Sequence, residues 1–305
     1  MDIELVDPTL RRPLQRSPKL NLENGFVLRL LNGPMWRLLP GKRTDGVTRR
    51  VVRDDGVSLR IHTPDRPTGA ALLWIHGGGM VMGAATMDDA LCGQTAARLG
   101  VTVVSADYRL APKHQFPAAI DDVHAGWTWL VAHAEELGID LERVAVGGQS
   151  AGGGLAACLV QRLHDEGAHV AAQWLFCPML DDRTAADRTH DATDHWVWNN
   201  RSNLVGWRSY LGDALGGATL PPYAAASRRE DLRGLPPTWI YASDIELFHD
   251  EDVEYARRLE AAGVEVTLEI IRAAPHGFEA WAMDTPMAEQ LFTSAQGWLG
   301  AQLSR

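Results

Sequence analysis

The segment Arg143-Val144-Ala145-Val146-Gly147-Gly148-Gln149-Ser150-Ala151-Gly152-Gly153-Gly154 sets a serine between two glycines, G-x-S-x-G, where a short apolar run meets a longer amphipathic one. Arg143–Val146 predicts a strand and Ala151–His164 a helix, so Ser150 falls on the turn between them. Such a turn strains the serine backbone and lifts its hydroxyl clear of a sheet. It needs small residues on both sides, because strand and helix must approach closely. The helix N-terminus also aims free N–H groups at any anion formed beside the serine. This is the pattern of a nucleophile elbow. A dinucleotide reading competes at the same place, since Gly152-Gly153-Gly154-Leu155-Ala156-Ala157 fits G-x-G-x-x-A. Its first glycine lies past the strand, however. The next predicted strand, Ala171–Phe176, runs into Cys177-Pro178 without the acid that would hold a ribose. No nicotinamide or flavin cofactor is expected.

Working outward, short apolar runs alternate with longer amphipathic ones. Strands are predicted at Ala70–Ile75, Val101–Ala106, Thr238–Ala242 and Val264–Ile271. Helices are predicted at Asp88–Leu99, Pro117–Leu137, Asp250–Ala262 and Asp284–Leu303. This alternation implies an α/β fold with a mostly parallel sheet covered by helices on both faces. Val47–Arg53 and Val57–His62, joined by Asp54-Asp55-Gly56, predict an antiparallel hairpin at its start. The first forty-odd residues are helical in places and interrupted by Pro8, Pro13, Pro18, Gly33, Pro34 and Pro40. Between Leu180 and Leu235 the rhythm breaks into a stretch rich in Asp, Arg, Trp and Gly, which reads as an inserted helical and loop segment.

Two further segments bear chemistry. His76-Gly77-Gly78-Gly79 directly follows the strand Ala70–Ile75, and its bare N–H groups suit an oxyanion. Pro275-His276-Gly277-Phe278 follows the last predicted strand, the position of a general base in the chain order serine, acid, histidine. The other histidines considered, His114, His124, His133, His164, His190 and His195, form no HExxH and no facing pair with carboxylate support, so no metal site is expected. Trp74, Trp127, Trp129, Trp174 and Trp239 fall on predicted elements and read as core. Trp196, Trp198 and Trp207 lie in the inserted segment, where a pocket wall and plain packing are equally open.

Composition narrows the function classes. With 46% hydrophobic and 22% charged residues, the chain is neither disordered nor fibrous, and its 305 residues suffice for one large domain with a closed pocket. A net charge of −10 without a basic run makes nucleic acid an unexpected partner. The longest apolar runs are strand-sized, so no membrane span is expected, and the first residues lack the apolar core of a secretory signal. Cys92, Cys158 and Cys177, odd in number and widely separated, read as buried thiols of a cytoplasmic protein.

These motifs together resemble the hormone-sensitive-lipase-like branch of the α/β-hydrolases, a group rich in bacterial carboxylesterases. The resemblance runs from about Gly69 to the C-terminus. It includes His76–Gly79, Asp107-Tyr108-Arg109-Leu110-Ala111-Pro112, Gly147–Gly153, Asp244–Asp252 and His276-Gly277-Phe278. Trp198-Asn199-Asn200-Arg201-Ser202-Asn203 is similar to a string in one esterase subgroup of that branch. The resemblance implies an α/β-hydrolase fold in a single domain, residues 1–305, with an eight-stranded sheet. It also implies a helical cap built from about 1–45 and 180–235. It further implies a cofactor-free serine carboxylesterase for small, short-acyl esters, with Ser150 as nucleophile and His276 as base. The N–H groups of Gly78, Gly79 and Ala151 would form the oxyanion hole. Related esterases often pair through an edge strand, which makes a homodimer an expectation here. An amidase or deformylase would use the same groups, and a non-catalytic small-molecule receptor on this fold would be expected to have lost Ser150 or His276. The branch often has Asp before the serine, where this chain has Gln149. For the triad acid two candidates stand: Asp244 is nearer the strand end and of the commoner type. Glu246, counted back from Asp250-Glu251-Asp252, is in the register where similar esterases place their Asp, and it is the expected acid.

Overall fold

In the computed structural model, which describes the chain apart from residues 17–21, 33–35, 37–40 and 55, eight strands form one sheet. They are β1 (Val47–Asp54), β2 (Val57–Pro64), β3 (Ala71–Ile75), β4 (Thr102–Asp107), β5 (Val144–Gln149), β6 (Ala172–Phe176), β7 (Thr238–Ser243) and β8 (Val266–Ile271). The order is β1-β2-β4-β3-β5-β6-β7-β8. β1 and β2 form the expected antiparallel hairpin, and β2 runs antiparallel to β4. From β4 to the β8 edge every pair is parallel. Of the turn Asp54-Asp55-Gly56, Asp55 lies outside the described residues, as do Pro18, Gly33, Pro34 and Pro40.

Both faces of the sheet are covered, and the two-residue period of the strands shows it. Along β3, Leu73 and Ile75 point into one apolar cluster and Leu72 and Trp74 into the other. The first cluster is completed by helices α2 (Gly25–Leu31), α4 (Ala118–Ala132), α5 (Ala151–Asp165) and α7 (His249–Ala261); the second by α1 (Pro8–Arg16), α3 (Asp89–Leu99) and α8 (Pro286–Gln302). The five tryptophans expected in the core, Trp74, Trp127, Trp129, Trp174 and Trp239, are all buried there. Cys92, Cys158 and Cys177 are free and buried. Among the described residues, no helix is long and apolar enough to cross a membrane.

Two elements depart from the expected bounds by more than two residues. The helix expected over Pro117–Leu137 breaks at His133 into α4 and a single turn, Ala134–Leu137. The His133 ring stacks on Trp129, and its Nδ1 bonds the Trp129 carbonyl at 2.9 Å, competing for the acceptor that continues a helix. β5 runs to Gln149 rather than Val146, carrying Gly147 and Gly148 within the sheet. Strand propensity under-counts those glycines, but a methyl on Gly147 would lie 2.7 Å from the Trp174 carbonyl of β6.

β3 and β5 are neighbours, while the strands that follow each lie on opposite sides of the pair. A crevice at the carboxyl ends of the strands opens at such a switch point. Register brings the key segments level: Ile75 pairs with Gly148, Gln149 with Phe176, Phe176 with Tyr241, and Ser243 with Ile271. The segment between β6 and β7 holds α6 (Asn200–Leu211) and several shorter turns. Buried acids anchor its two ends. Glu251 accepts from the Leu180 and Asp181 amides, and Asp182 accepts from Arg228 at 2.7 Å. The N-terminal residues meet this segment, where the Met1 ammonium donates to the Asp194 carbonyl, and also the loop after β8, where the Asp7 amide donates to the Ala273 carbonyl.

Candidate active site

Ser150 stands between β5 and α5 with φ 54° and ψ −122°, in a region that non-glycine residues rarely occupy. The backbone is held there from several directions: its amide donates to the Phe176 carbonyl, and its carbonyl accepts from the amides of Gly154 and Met179. Gly148 and Gly152 are there because nothing larger fits. A Cβ on Gly152 would lie 2.1 Å from the Ile75 carbonyl, and one on Gly148 2.3 Å from the Gly152 carbonyl.

The Ser150 hydroxyl lies 2.8 Å from His276 Nε2, and His276 Nδ1 bonds Glu246 Oε2. All three residues are buried. The edge of Phe248 packs on the imidazole at 5.1 Å, and the Trp281 indole donates to the His276 carbonyl, which fixes the ring. Asp244 is placed elsewhere: it is exposed, and its carboxylate caps the Ala273 amide at 2.7 Å. Of the two candidate acids, only Glu246 reaches the histidine.

Gly78 and Gly79 share the wall of one cavity of about 670 Å³ with Ser150 and His276. Both glycines have positive φ, 117° and 60°. A Cβ on Gly79 would meet the Trp198 ring at 2.1 Å, so that indole seats directly on the glycine loop. Tyr108 of the Asp107–Pro112 motif stacks on His76 and donates to its carbonyl, while the Ala111 amide bonds the Met80 carbonyl, bracing the loop from behind. Ala151 opens α5 behind Ser150, among the first N–H groups of a helix, which have no intrahelical acceptor.

The cavity walls include Met82, Met87, Trp196, Trp198 and Trp281, with Asn199 and His195 as polar members. Of the three tryptophans left open by the sequence, Trp196 and Trp198 line the cavity and Trp207 is packed in the core. His195, unpersuasive as a sequence feature, faces the cavity, and burial lowers the pKa of its imidazole. Three more side chains, given no part in the site by the sequence reading, stand around it. Glu279 binds Gln149 and Tyr241 beneath the elbow. Asp252, buried beside the charges of Glu246 and Glu251, has its carboxyl pushed well above the usual range by desolvation and those charges. Cys177 has its thiol pushed up by burial and by the Glu279 and Glu246 carboxylates.

Among the described residues, Cys177, Glu246 and His276 are the one cluster of such side chains whose ligand atoms lie within 4.8 Å of one another. Both His276 nitrogens are already engaged, with Ser150 and Glu246. A strained, hydrogen-bonded serine at the base of a largely apolar cavity is therefore the chemistry these residues favour.

Comparisons agree with that geometry. A family model described as the α/β hydrolase fold matches residues 72–280. An ethyl acetate hydrolase of Pseudomonas putida is 36% identical over 237 residues, covering 73% of this chain and 72% of its own. Among solved structures, a bacterial heroin esterase superposes with a TM-score of 0.87 at 37% identity, covering 99% of both chains. An esterase of the bacterial hormone-sensitive lipase family superposes at 0.80 with 28% identity, covering 97% of this chain and 99% of its own. The chain belongs to the α/β-hydrolase family, in the branch of esterases related to hormone-sensitive lipase.

Proposed function

We propose that the chain is a serine carboxylesterase that cleaves small, short-acyl esters through an acyl-enzyme on Ser150. The observation that carries this reading is the hydrogen-bonded line Ser150–His276–Glu246 at the base of the cavity. As the Ser150 oxygen bonds the ester carbonyl carbon, its proton passes to His276 Nε2, and Glu246 stabilises the imidazolium from Nδ1. The carbonyl oxygen takes up the displaced electron pair as an oxyanion. Backbone N–H groups of Gly78, Gly79 and Ala151 receive it, each donor contributing about 3–4 kcal/mol to the transition state. His276 then gives its proton to the alkoxide as the C–O bond breaks, and the alcohol leaves. Water, deprotonated by the same imidazole, repeats the sequence on the acyl-enzyme and frees the acid.

The N-terminal residues and the segment between β6 and β7 act as a cap over this site. Trp196 and Trp198 narrow the cavity, which supports a preference for acyl chains of about eight carbons or fewer. The three buried, free cysteines suit a reducing compartment.

The test combines labelling and kinetics. A fluorophosphonate should add once, on the peptide carrying Ser150, and Ser150→Ala should lose the label and lower kcat roughly 10⁵-fold with the fold intact. Retention of more than a few per cent of turnover would overturn the assignment. Across p-nitrophenyl esters from acetate to palmitate, kcat/KM should peak at or below octanoate. Faster hydrolysis of palmitate than of butyrate would contradict the narrow cavity.

A further inference from the structure

Beneath the elbow lies a second carboxylate for which the proposed reaction has no direct use. Glu279 is fully buried, three residues beyond His276, in the short helical turn Phe278–Trp281 that follows the histidine. Its Oε1 accepts from Gln149 Nε2 at 2.6 Å, and its Oε2 accepts from the Tyr241 hydroxyl, which also lies 3.2 Å from Cys177 Sγ. A buried carboxylate without such donors is costly, and here both oxygens are engaged.

The other end of that contact is as informative. Gln149 is the residue immediately before Ser150. A Cβ placed on Gly77 would lie 3.0 Å from the Gln149 side-chain oxygen, and one on Gly277 3.3 Å from its side-chain nitrogen. The amide is therefore wedged between the glycine loop and the histidine loop, and Glu279 holds it there. One hydrogen bond across 130 residues of sequence thus ties together the three loops that carry the donors, the nucleophile and the base.

Burial pushes the Glu279 carboxyl above its ordinary range, against the opposing pull of the bonds from Tyr241 and Gln149. The groups around it are His276 just before it in the chain, Tyr241 of β7, Cys177 after β6 and Asp88 before α3. Glu246 stands on the other side of the histidine.

We propose that Gln149 and Glu279 are a positioning pair for the reaction proposed above. Glu279 locks the Gln149 amide between the elbow and the histidine loop. The inference rests on the catalytic roles of Ser150 and His276.

Two single variants and their combination test the contact. Glu279→Gln keeps the shape and an acceptor for Gln149 but weakens the bond that holds the amide, so kcat should fall several-fold with KM little changed. Gln149→Glu alone sets two buried carboxyls against each other and should lower kcat by about 100-fold. The reversed pair, Gln149→Glu with Glu279→Gln, restores an amide–carboxylate contact and should recover at least tenfold of that loss. An unchanged kcat in Glu279→Gln, or a reversed pair no better than Gln149→Glu, would overturn the proposal. Failure of the underlying reading shows itself separately, as retained turnover or labelling in Ser150→Ala.

Discussion

The two halves of the site are held by different forces. At the ends of β3 and β5, the glycine loop and the elbow are fixed by backbone pressed against backbone. A methyl on Gly152 would lie 2.1 Å from the Ile75 carbonyl, and one on Gly78 2.1 Å from that of Met82. At the ends of β7 and β8, the acid and histidine loops are fixed by side chains. Glu246 binds His276, Ser243 donates to the Ala274 carbonyl, and Glu279 gathers Gln149 and Tyr241. The first half is a steric lock that tolerates no added atom. The second is an electrostatic assembly of buried carboxyls, whose strength depends on where the protons are.

The largest expected effect tests the second half. Glu246→Gln leaves the shape of the site but removes the charge facing His276 Nδ1, and kcat should fall by up to ~10⁴ with KM little changed. Asp244→Asn, at a carboxylate that accepts from the Ala273 amide, should stay within about twofold of the unaltered enzyme. A severe loss in Asp244→Asn beside a near-normal Glu246→Gln in steady-state assays would reverse the roles.

The steric half should break differently. Gly152→Ala forces its methyl into two backbone carbonyls, of Ile75 and His76, neither of which retreats without shifting β3. A cost of about 3 kcal/mol is expected, read as a lower denaturation midpoint with the denaturant slope unchanged. A variant as stable as the parent would mean that the elbow has more room than the contact distances allow.

A third test sharpens the electrostatic side through pH. Asp88, buried with the Trp74 indole donating to it at 2.7 Å, has its carboxyl pushed up to about 7, chiefly by burial and also by the Glu279 and Asp89 charges. An acid raised in the folded state keeps its proton there while the unfolded chain has lost it. Stability from this group is therefore fully present below about pH 4 and is lost as the pH rises toward 7. Asp88→Asn keeps an acceptor for Trp74 and removes that titration. Its stability should exceed the parent's at pH 8 and show no gain at pH 4. Parallel stability–pH curves for the two proteins would show that Asp88 does not titrate in this range.

The contrast also separates what was legible in the sequence. The Gly148–Gly152 spacing and the run His76–Gly79 encode close approach, and a close approach leaves no alternative to glycine. The elbow and the glycine loop were therefore readable from residue type alone. The acid was readable only as a choice between Asp244 and Glu246, since both sit in one short loop after β7 and either charge suits the chemistry. Gln149 and Glu279 were not readable as a pair, because a hydrogen bond between residues 130 apart leaves no local pattern. His195 and Asp252 were equally hidden: an isolated histidine or a third acid in an acidic helix turn looks like surface until burial is known.

The sequence by itself determined the strand–helix alternation, the elbow, the glycine loop and the order serine, acid, histidine. These follow from short-range sterics and from a hydrophobic period that each segment carries alone. Only the tertiary structure decided that Glu246 reaches His276 and that Glu279 reaches Gln149. It also decided that Trp198 seats on Gly79 while Trp207 is packed away. Those contacts depend on the register of β5 through β8 and on the paths of the loops that leave them. That register comes from pairing and packing summed over the whole sheet, which no single segment specifies.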